Sequence, residues 1–185
     1  MGYSLGGNVL LKWLGESGEK DLLTASVAVS VPFELKRSVE SLSKGFSKLY
    51  QWHLIRALVR AHRQKFKNIP APISFSNINR LKNFLEFDNA ITAPLHGFKN
   101  AEEYYAQSSS RQYLDKIQMP TLILHAEDDP FTTLSSIPSP QEVSAHVTLE
   151  VLEKGGHVGF VMGKFPWRPI YWLEQRIMHY FNEII

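Results

Sequence analysis

Two kinds of hydrophobic pattern alternate along this chain: short uncharged runs, and longer stretches whose apolar residues recur at helical spacing. The stretch Asn8 to Leu14 has few breakers and apolar residues on most faces, which predicts a helix packed against a sheet. It is predicted to end between Gly15 and Gly18, where Gly-Glu-Ser-Gly supplies stop and turn signals. Leu22 to Val31 predicts a strand. Its core, Ala25 to Ser30, is small and uncharged, as suits a strand covered on both faces of a parallel sheet, and Pro32 closes it. Pro120 to His125 predicts a second strand, with proline at the one position a strand tolerates well. Val147 to Leu152 predicts a third. The chain then closes with a predicted helix from about Arg168 to Ile184, in which Ile170, Leu173, Ile177, Phe181 and Ile184 share one buried face.

Between Phe33 and Ile117 the pattern is helical and irregular. Phe46, Leu49, Tyr50, His53, Leu54, Ala57, Leu58 and Ala61 keep one face of a long helix, and that face is predicted to be the buried one. Arg56, Arg60, Arg63 and Lys67 form a stripe along it, and residues 36–67 carry nine Lys or Arg against one acid, Glu40. Like charges at such steps cost a few tenths of a kcal/mol per pair, so the helix must rest on its apolar face. The plain reading of the stripe is a solvated basic surface. The sharper one is attraction of anionic lipid or an acidic substrate. Nucleic acid is not indicated, because no recognition motif accompanies the charge.

Composition narrows the picture further. With 185 residues, 44% hydrophobic and 12% aromatic, the chain suffices for a single domain, 1–185, with a core of its own. The formal charge of +2 implies no polyanion partner. Cysteine is absent, which excludes disulfides, thiolate metal sites and a cysteine nucleophile. No apolar run approaches the length of about 18 residues that a membrane span needs, and there is no signal-like leader, so a cytoplasmic protein is expected. His53, His62, His96, His146 and His179 have no metal-ligand spacing with one another or with a carboxylate. No metal and no cofactor is expected.

Candidate chemistry lies at the ends of the predicted strands. Gly2-Tyr3-Ser4-Leu5-Gly6 fits the Gly-x-Ser-x-Gly pattern of a nucleophile elbow, in which a serine is lifted out of a sharp strand-to-helix turn. Gly2 and Gly6 are expected to remove side chains that would collide there. Asp128-Asp129-Pro130 follows the second strand, and Gly155-Gly156-His157 follows the third. Serine, then acid, then histidine is the chain order of the α/β-hydrolase triad. The chemistry needs all three, because a serine hydroxyl is a poor nucleophile until a histidine accepts its proton, and a carboxylate fixes that histidine's tautomer.

The words Gly-Tyr-Ser-Leu-Gly-Gly-Asn, Lys44-Gly45-Phe46-Ser47, Phe87-Asp88, Thr92-Ala93-Pro94, His125-Ala126-Glu127-Asp128-Asp129-Pro130-Phe131 and Gly155-Gly156-His157-Val158-Gly159-Phe160 resemble the YheT-like branch of the α/β-hydrolases. The resemblance runs along essentially the whole chain. It implies a serine hydrolase of the carboxylesterase type acting on small or lipid-like esters, with Ser4 as nucleophile, Asp129 as acid and His157 as base. The backbone N–H of Leu5 would be one oxyanion donor. In the family the acid stands three residues after a small residue at the strand end, which favours Asp129 over Asp128. Residues 33–117 would be a largely helical cap insertion.

A full member has about eight strands, so the expected fold is α/β, a partial α/β-hydrolase with the last three parallel strands and flanking helices. The strand that carries Ser4 and the second oxyanion donor are expected in an upstream half, without which the chain would be inactive or self-associate. Two other classes of function remain open, a hydrolase-derived binding module without activity and a peripheral module on anionic membranes. His125 reads as a hydrogen-bonded core histidine rather than a residue supporting the acid. Phe165, Trp167, Tyr171 and Trp172 read as packing for the last helix, and Tyr104 and Tyr105 as core or as the lining of an acyl pocket.

Overall fold

The computed structural model describes residues 1–18, 23–70, 78–163 and 167–184. They form two compact units, one of Met1–Glu34 with Ser108–Ile185 and the other of Leu35–Gln107.

The first unit is built on a four-stranded parallel sheet of β1 (Gly2–Tyr3), β2 (Ser26–Val29), β3 (Thr121–Ala126) and β4 (Val147–Leu152), in that spatial order. The expected strand at 22–31 is thus shorter than its apolar run, and Leu22 lies outside the described residues. The elbow strand, expected to be missing, is present as two residues, with Gly2 opposite Ala28 and Tyr3 opposite Val29. Every residue of β2 and β3 is buried, as uncharged strands covered on both faces should be.

Side chains alternate between those faces. Ala28 and Ile123 point to one core with Leu11 and Leu14 of the helix α1 (Leu5–Ser17), and Phe33, Leu114 and Ile117 pack there too. Phe33, Leu114 and Ile117, at the ends of the expected insertion, therefore belong with the sheet. Val27, Val29, Leu122 and Leu124 point to the other core, closed by Leu173, Ile177 and Tyr180 of the last helix. Each of these aliphatic side chains contributes about 1.5–3 kcal/mol by leaving water.

That last helix starts later than its periodicity predicts. Ile170 and Tyr171 form a strand antiparallel to Val161–Met162, and the helix runs Trp172–Ile184. Ile170 is consequently 47% exposed rather than on the buried face. Trp172 packs near Phe160, at 6.0 Å between ring centroids, whereas Trp167 and Tyr171 are exposed. Phe165 lies outside the described residues.

The second unit contains α2 (Leu35–Leu42), α3 (Ser47–Lys65), the short helices α4 (Phe84–Phe87) and α5 (Ala93–Leu95) joined by a π turn, and α6 (Ala101–Ser108). Here the expected face of the long helix is wrong. Gln51 and Ile55 are the buried residues of α3, while Phe46, Leu49, Tyr50 and Leu58 are exposed. Ile55 packs with Ile78, Phe87 and Ile91, and the buried Gln51 is satisfied because its Oε1 accepts the Phe84 N–H at 3.0 Å. A count of apolar positions misses this, since burying a polar group costs little once it is hydrogen-bonded. Tyr105 is core as well, its hydroxyl donating to the buried Asp88 at 2.7 Å.

Candidate active site

Ser4 joins β1 to α1 with φ 50° and ψ −126°, a backbone conformation that residues with a side chain rarely adopt. Its N–H donates to Val29 O at 2.8 Å, and its carbonyl accepts the N–H groups of Gly7 and Asn8 at 2.9 and 3.2 Å. The turn is therefore pinned to the sheet on one side and to the helix on the other. Of the two glycines the pattern suggests, Gly2 is crowded as expected and Gly6 is not. A Cβ on Gly2 would stand 2.6 Å from Gly6 O, and one on Gly7 would stand 2.7 Å from Val31 Cγ2, but one on Gly6 would meet nothing within 4 Å. Gly2 and Gly7 are the positions of close approach, with backbone and strand crossing where a side chain would be.

The three sequence candidates converge beyond the carboxyl ends of the strands. His157 Nε2 is 2.9 Å from Ser4 Oγ, and Nδ1 is 2.8 Å from Asp129 Oδ2. An ionised carboxylate only accepts, so the Nδ1 proton belongs to the bond with Asp129 and Nε2 is left to accept from the Ser4 hydroxyl. The Asp129 side chain is 0% exposed and its second oxygen accepts the Phe131 N–H at 2.9 Å. Phe131 also sets its ring edge-on to that of His157, at 4.5 Å between centroids, which limits imidazole rotation. Asp128 stays exposed and turns its carboxylate to the Gly155 and Gly156 N–H groups instead. Leu5 is the first residue of α1, where an N–H has no acceptor inside the helix and lies at the positive end of the dipole.

One support, Asn8, escapes the sequence reading, whereas His125 is the hydrogen-bonded core histidine expected. Asn8, 1% exposed, donates from Nδ2 to Ser108 O at 2.8 Å and accepts the Ser110 N–H at 2.9 Å, so the elbow helix holds the 108–110 segment. Its only signal was a polar residue amid an apolar helix. His125 is fully buried, with Nε2 3.1 Å from Thr132 Oγ1 and its ring against Phe33, and burial lowers its pKa. Of the other histidines, His53, His96, His146 and His179 are exposed and His62 is half-buried against Phe66. Among the described residues no group of His, Asp and Glu could hold a metal ion.

Comparison with known proteins agrees with this arrangement at the level of family. A family model described as alpha/beta hydrolase fold matches residues 1–163. The Escherichia coli (strain K12) protein named "Putative esterase YheT" is 40% identical over 179 residues, 96% of this chain and 52% of its own. A "Monoacylglycerol lipase" of Saccharomyces cerevisiae is 34% identical over 170 residues, covering 86% of this chain and 37% of its own. The chain thus spans about half or less of the length of these relatives. In fold it is similar to a solved alpha/beta fold family hydrolase from Bacillus anthracis, with TM-score 0.52 and 16% identity over 100% of this chain and 66% of that one. A family match over most of the chain, a parallel sheet with flanking helices and a serine at its elbow leave one conclusion: the chain belongs to the α/β-hydrolase fold family, as a YheT-like member.

Proposed function

We propose that this chain carries the catalytic residues of a serine hydrolase of the carboxylesterase type, which cleaves small or lipid-like acyl esters. The observation that carries the reading is the hydrogen-bonded line from Ser4 through His157 to Asp129, at 2.9 and 2.8 Å. Ser4 Oγ attacks the acyl carbonyl carbon while His157 Nε2 takes its proton. The tetrahedral oxyanion receives the Leu5 N–H, and collapse expels the alkoxide, which takes the proton back from Nε2. Water then repeats the sequence on the acyl-serine and releases the acid. Asp129 holds the imidazole in the required tautomer throughout and stabilises its positive charge. Support for the substrate class comes from relatives named esterase, monoacylglycerol lipase and phospholipase. A cytoplasmic location remains part of this reading. For the described residues, no helix is long and apolar enough to cross a membrane.

Full activity on this reading needs a further segment, since the relatives carry about as much chain again and one oxyanion donor is half of the usual pair. β1 is an edge strand of the sheet, and an apolar edge is a template for association. The 185-residue chain alone is expected to self-associate in sizing experiments, and co-expression with such a segment to suppress this. A monodisperse monomer that melts cooperatively would count against it. The cap of this reading, expected over residues 33–117, is the second unit, Leu35–Gln107, because Phe33, Leu114 and Ile117 pack with the sheet.

A second reading, an inactive module peripheral to anionic membranes, is favoured by the exposed Arg56, Arg60 and Arg63 of α3 and by Phe46 at its N-cap, which is 89% exposed. A fluorophosphonate probe and vesicle flotation separate the two. The hydrolase reading expects one labelled serine, together with turnover of a short-chain ester by the chain joined to its further segment. No labelled serine, with flotation on anionic vesicles that fades as salt rises, would favour the membrane module.

A further inference from the structure

Asp128 and Asp129 are neighbours in the loop after β3, and both grip the loop after β4, at different places. Asp129 holds the His157 ring, as described. Asp128 holds the backbone. Its Oδ1 accepts the Gly155 N–H at 2.9 Å and the Gly156 N–H at 2.7 Å, one and two residues before the histidine. Consecutive N–H groups converging on one oxygen form an anion nest. Gly156 has φ +61°, the left-handed conformation in which such a nest forms. Gly155 is wedged in place, because a Cβ there would stand 2.6 Å from the Phe160 ring and 2.9 Å from Ala126 Cβ.

The β3–β4 pairing ends with Ala126 opposite Leu152, followed by the Glu127 N–H on Leu152 O at 2.8 Å. Beyond that point two bonds from the Asp128 carboxylate tie the loop after β3 to the backbone of the loop after β4. The distances at His157 leave little slack, and a misplacement of about 1 Å in such a line costs about 100-fold in rate.

We propose that Asp128 is a positioning residue, whose carboxylate clamps the Gly155–Gly156 backbone so that His157 reaches Ser4 and Asp129 together; its effect on catalysis rests on the hydrolase reading above. The nest, led by the Gly156 N–H, lowers the Asp128 pKa below its ordinary value, because its N–H groups favour the ionised carboxylate.

The test uses the 185-residue chain joined to its further segment, and two variants of it. Asp128→Ala removes the acceptor, and Asp128→Asn keeps an Oδ1 in the same place. The readouts are the low-field proton resonance of His157 Nδ1, assigned by its loss in His157→Ala, and the rate of fluorophosphonate labelling at Ser4. In Asp128→Ala the resonance is expected to vanish into exchange with water and labelling to slow at least ~10-fold, while the melting transition stays cooperative. Asp128→Asn should keep the resonance and label within ~3-fold of the unsubstituted chain, since one oxygen accepts both bonds. An unchanged resonance in Asp128→Ala, equal loss in both variants, or no such resonance in the unsubstituted chain overturns the proposal. Should Asp128→Ala not fold, Asp128→Asn decides alone, a retained resonance supporting the clamp and a lost one overturning it. A resonance that responds as expected in a chain whose Ser4 takes no label would defeat the hydrolase reading and leave the clamp standing.

Discussion

Ser4→Ala is expected to abolish fluorophosphonate labelling and to lower ester turnover about a million-fold, the scale of loss when a serine hydrolase loses its nucleophile. The other described serines offer no substitute. Ser30 shares the unusual positive φ, at 51°, but is 0% exposed at the end of β2, where no probe reaches it. Ser110 is equally buried, and Ser108 and Ser109 flank it in the segment held by Asn8. Among the described residues, Ser4 alone combines the strained turn, the histidine within hydrogen-bond reach and a helix N-terminus beneath the position where an oxyanion would form. The stability of the fold should change little, since the substitution removes one half-buried oxygen whose partner is another side chain. Both parts are checked on the chain joined to its further segment, the first by mass spectrometry of the labelled protein and the second by a short-chain ester assay. A label that persists in Ser4→Ala would remove the serine from its role.

Asp129→Asn is the second large effect expected, a loss of about four powers of ten in turnover with folding nearly intact. The side chain is fully buried and its shape is preserved, and the Phe131 N–H can still be accepted by the amide oxygen. What changes is the proton pattern. An amide facing Nδ1 can donate to it, which favours the imidazole tautomer with its proton on Nε2, where it can no longer accept from Ser4. Binding of ester is left intact, so the loss should fall on kcat rather than KM. Asp128→Asn is expected to cost far less, because its bonds go to two glycine N–H groups through one oxygen that the amide retains. Steady-state kinetics of both variants, with thermal melts alongside, checks the pair. If Asp128→Asn were the crippled one, the acid would have to be reassigned.

Prediction and structure diverge in an orderly way along this chain. β3 and β4 were legible within a residue or not at all displaced, because a short run rich in Val, Ile, Leu and Thr carries its own strand signal. The end of α1 near Gly18 was legible for the same kind of local reason. The face of α3 was not. Gln51 enters the core through a bond to Phe84, 33 residues on, and no count of apolar positions contains that partner. Nor was the pairing that turns Ile170 out of the last helix, since two-residue strands have almost no pattern of their own.

The same division runs through the candidate site. By itself the sequence determined that the chain is a YheT-like α/β-hydrolase, that a serine stands at a strand-to-helix turn, and that an acid and a histidine follow later strands in hydrolase order. These are properties of neighbours in the chain, written in glycine spacing and in where apolar runs stop. Only the tertiary structure decided that Gly7 rather than Gly6 is the second crowded position, and that Asn8 ties down a segment 100 residues away. The physical reason is distance along the chain. The serine and histidine meet across 153 residues and the acid and histidine across 28, so the direction of each side chain is set by the twist and register of the sheet between them.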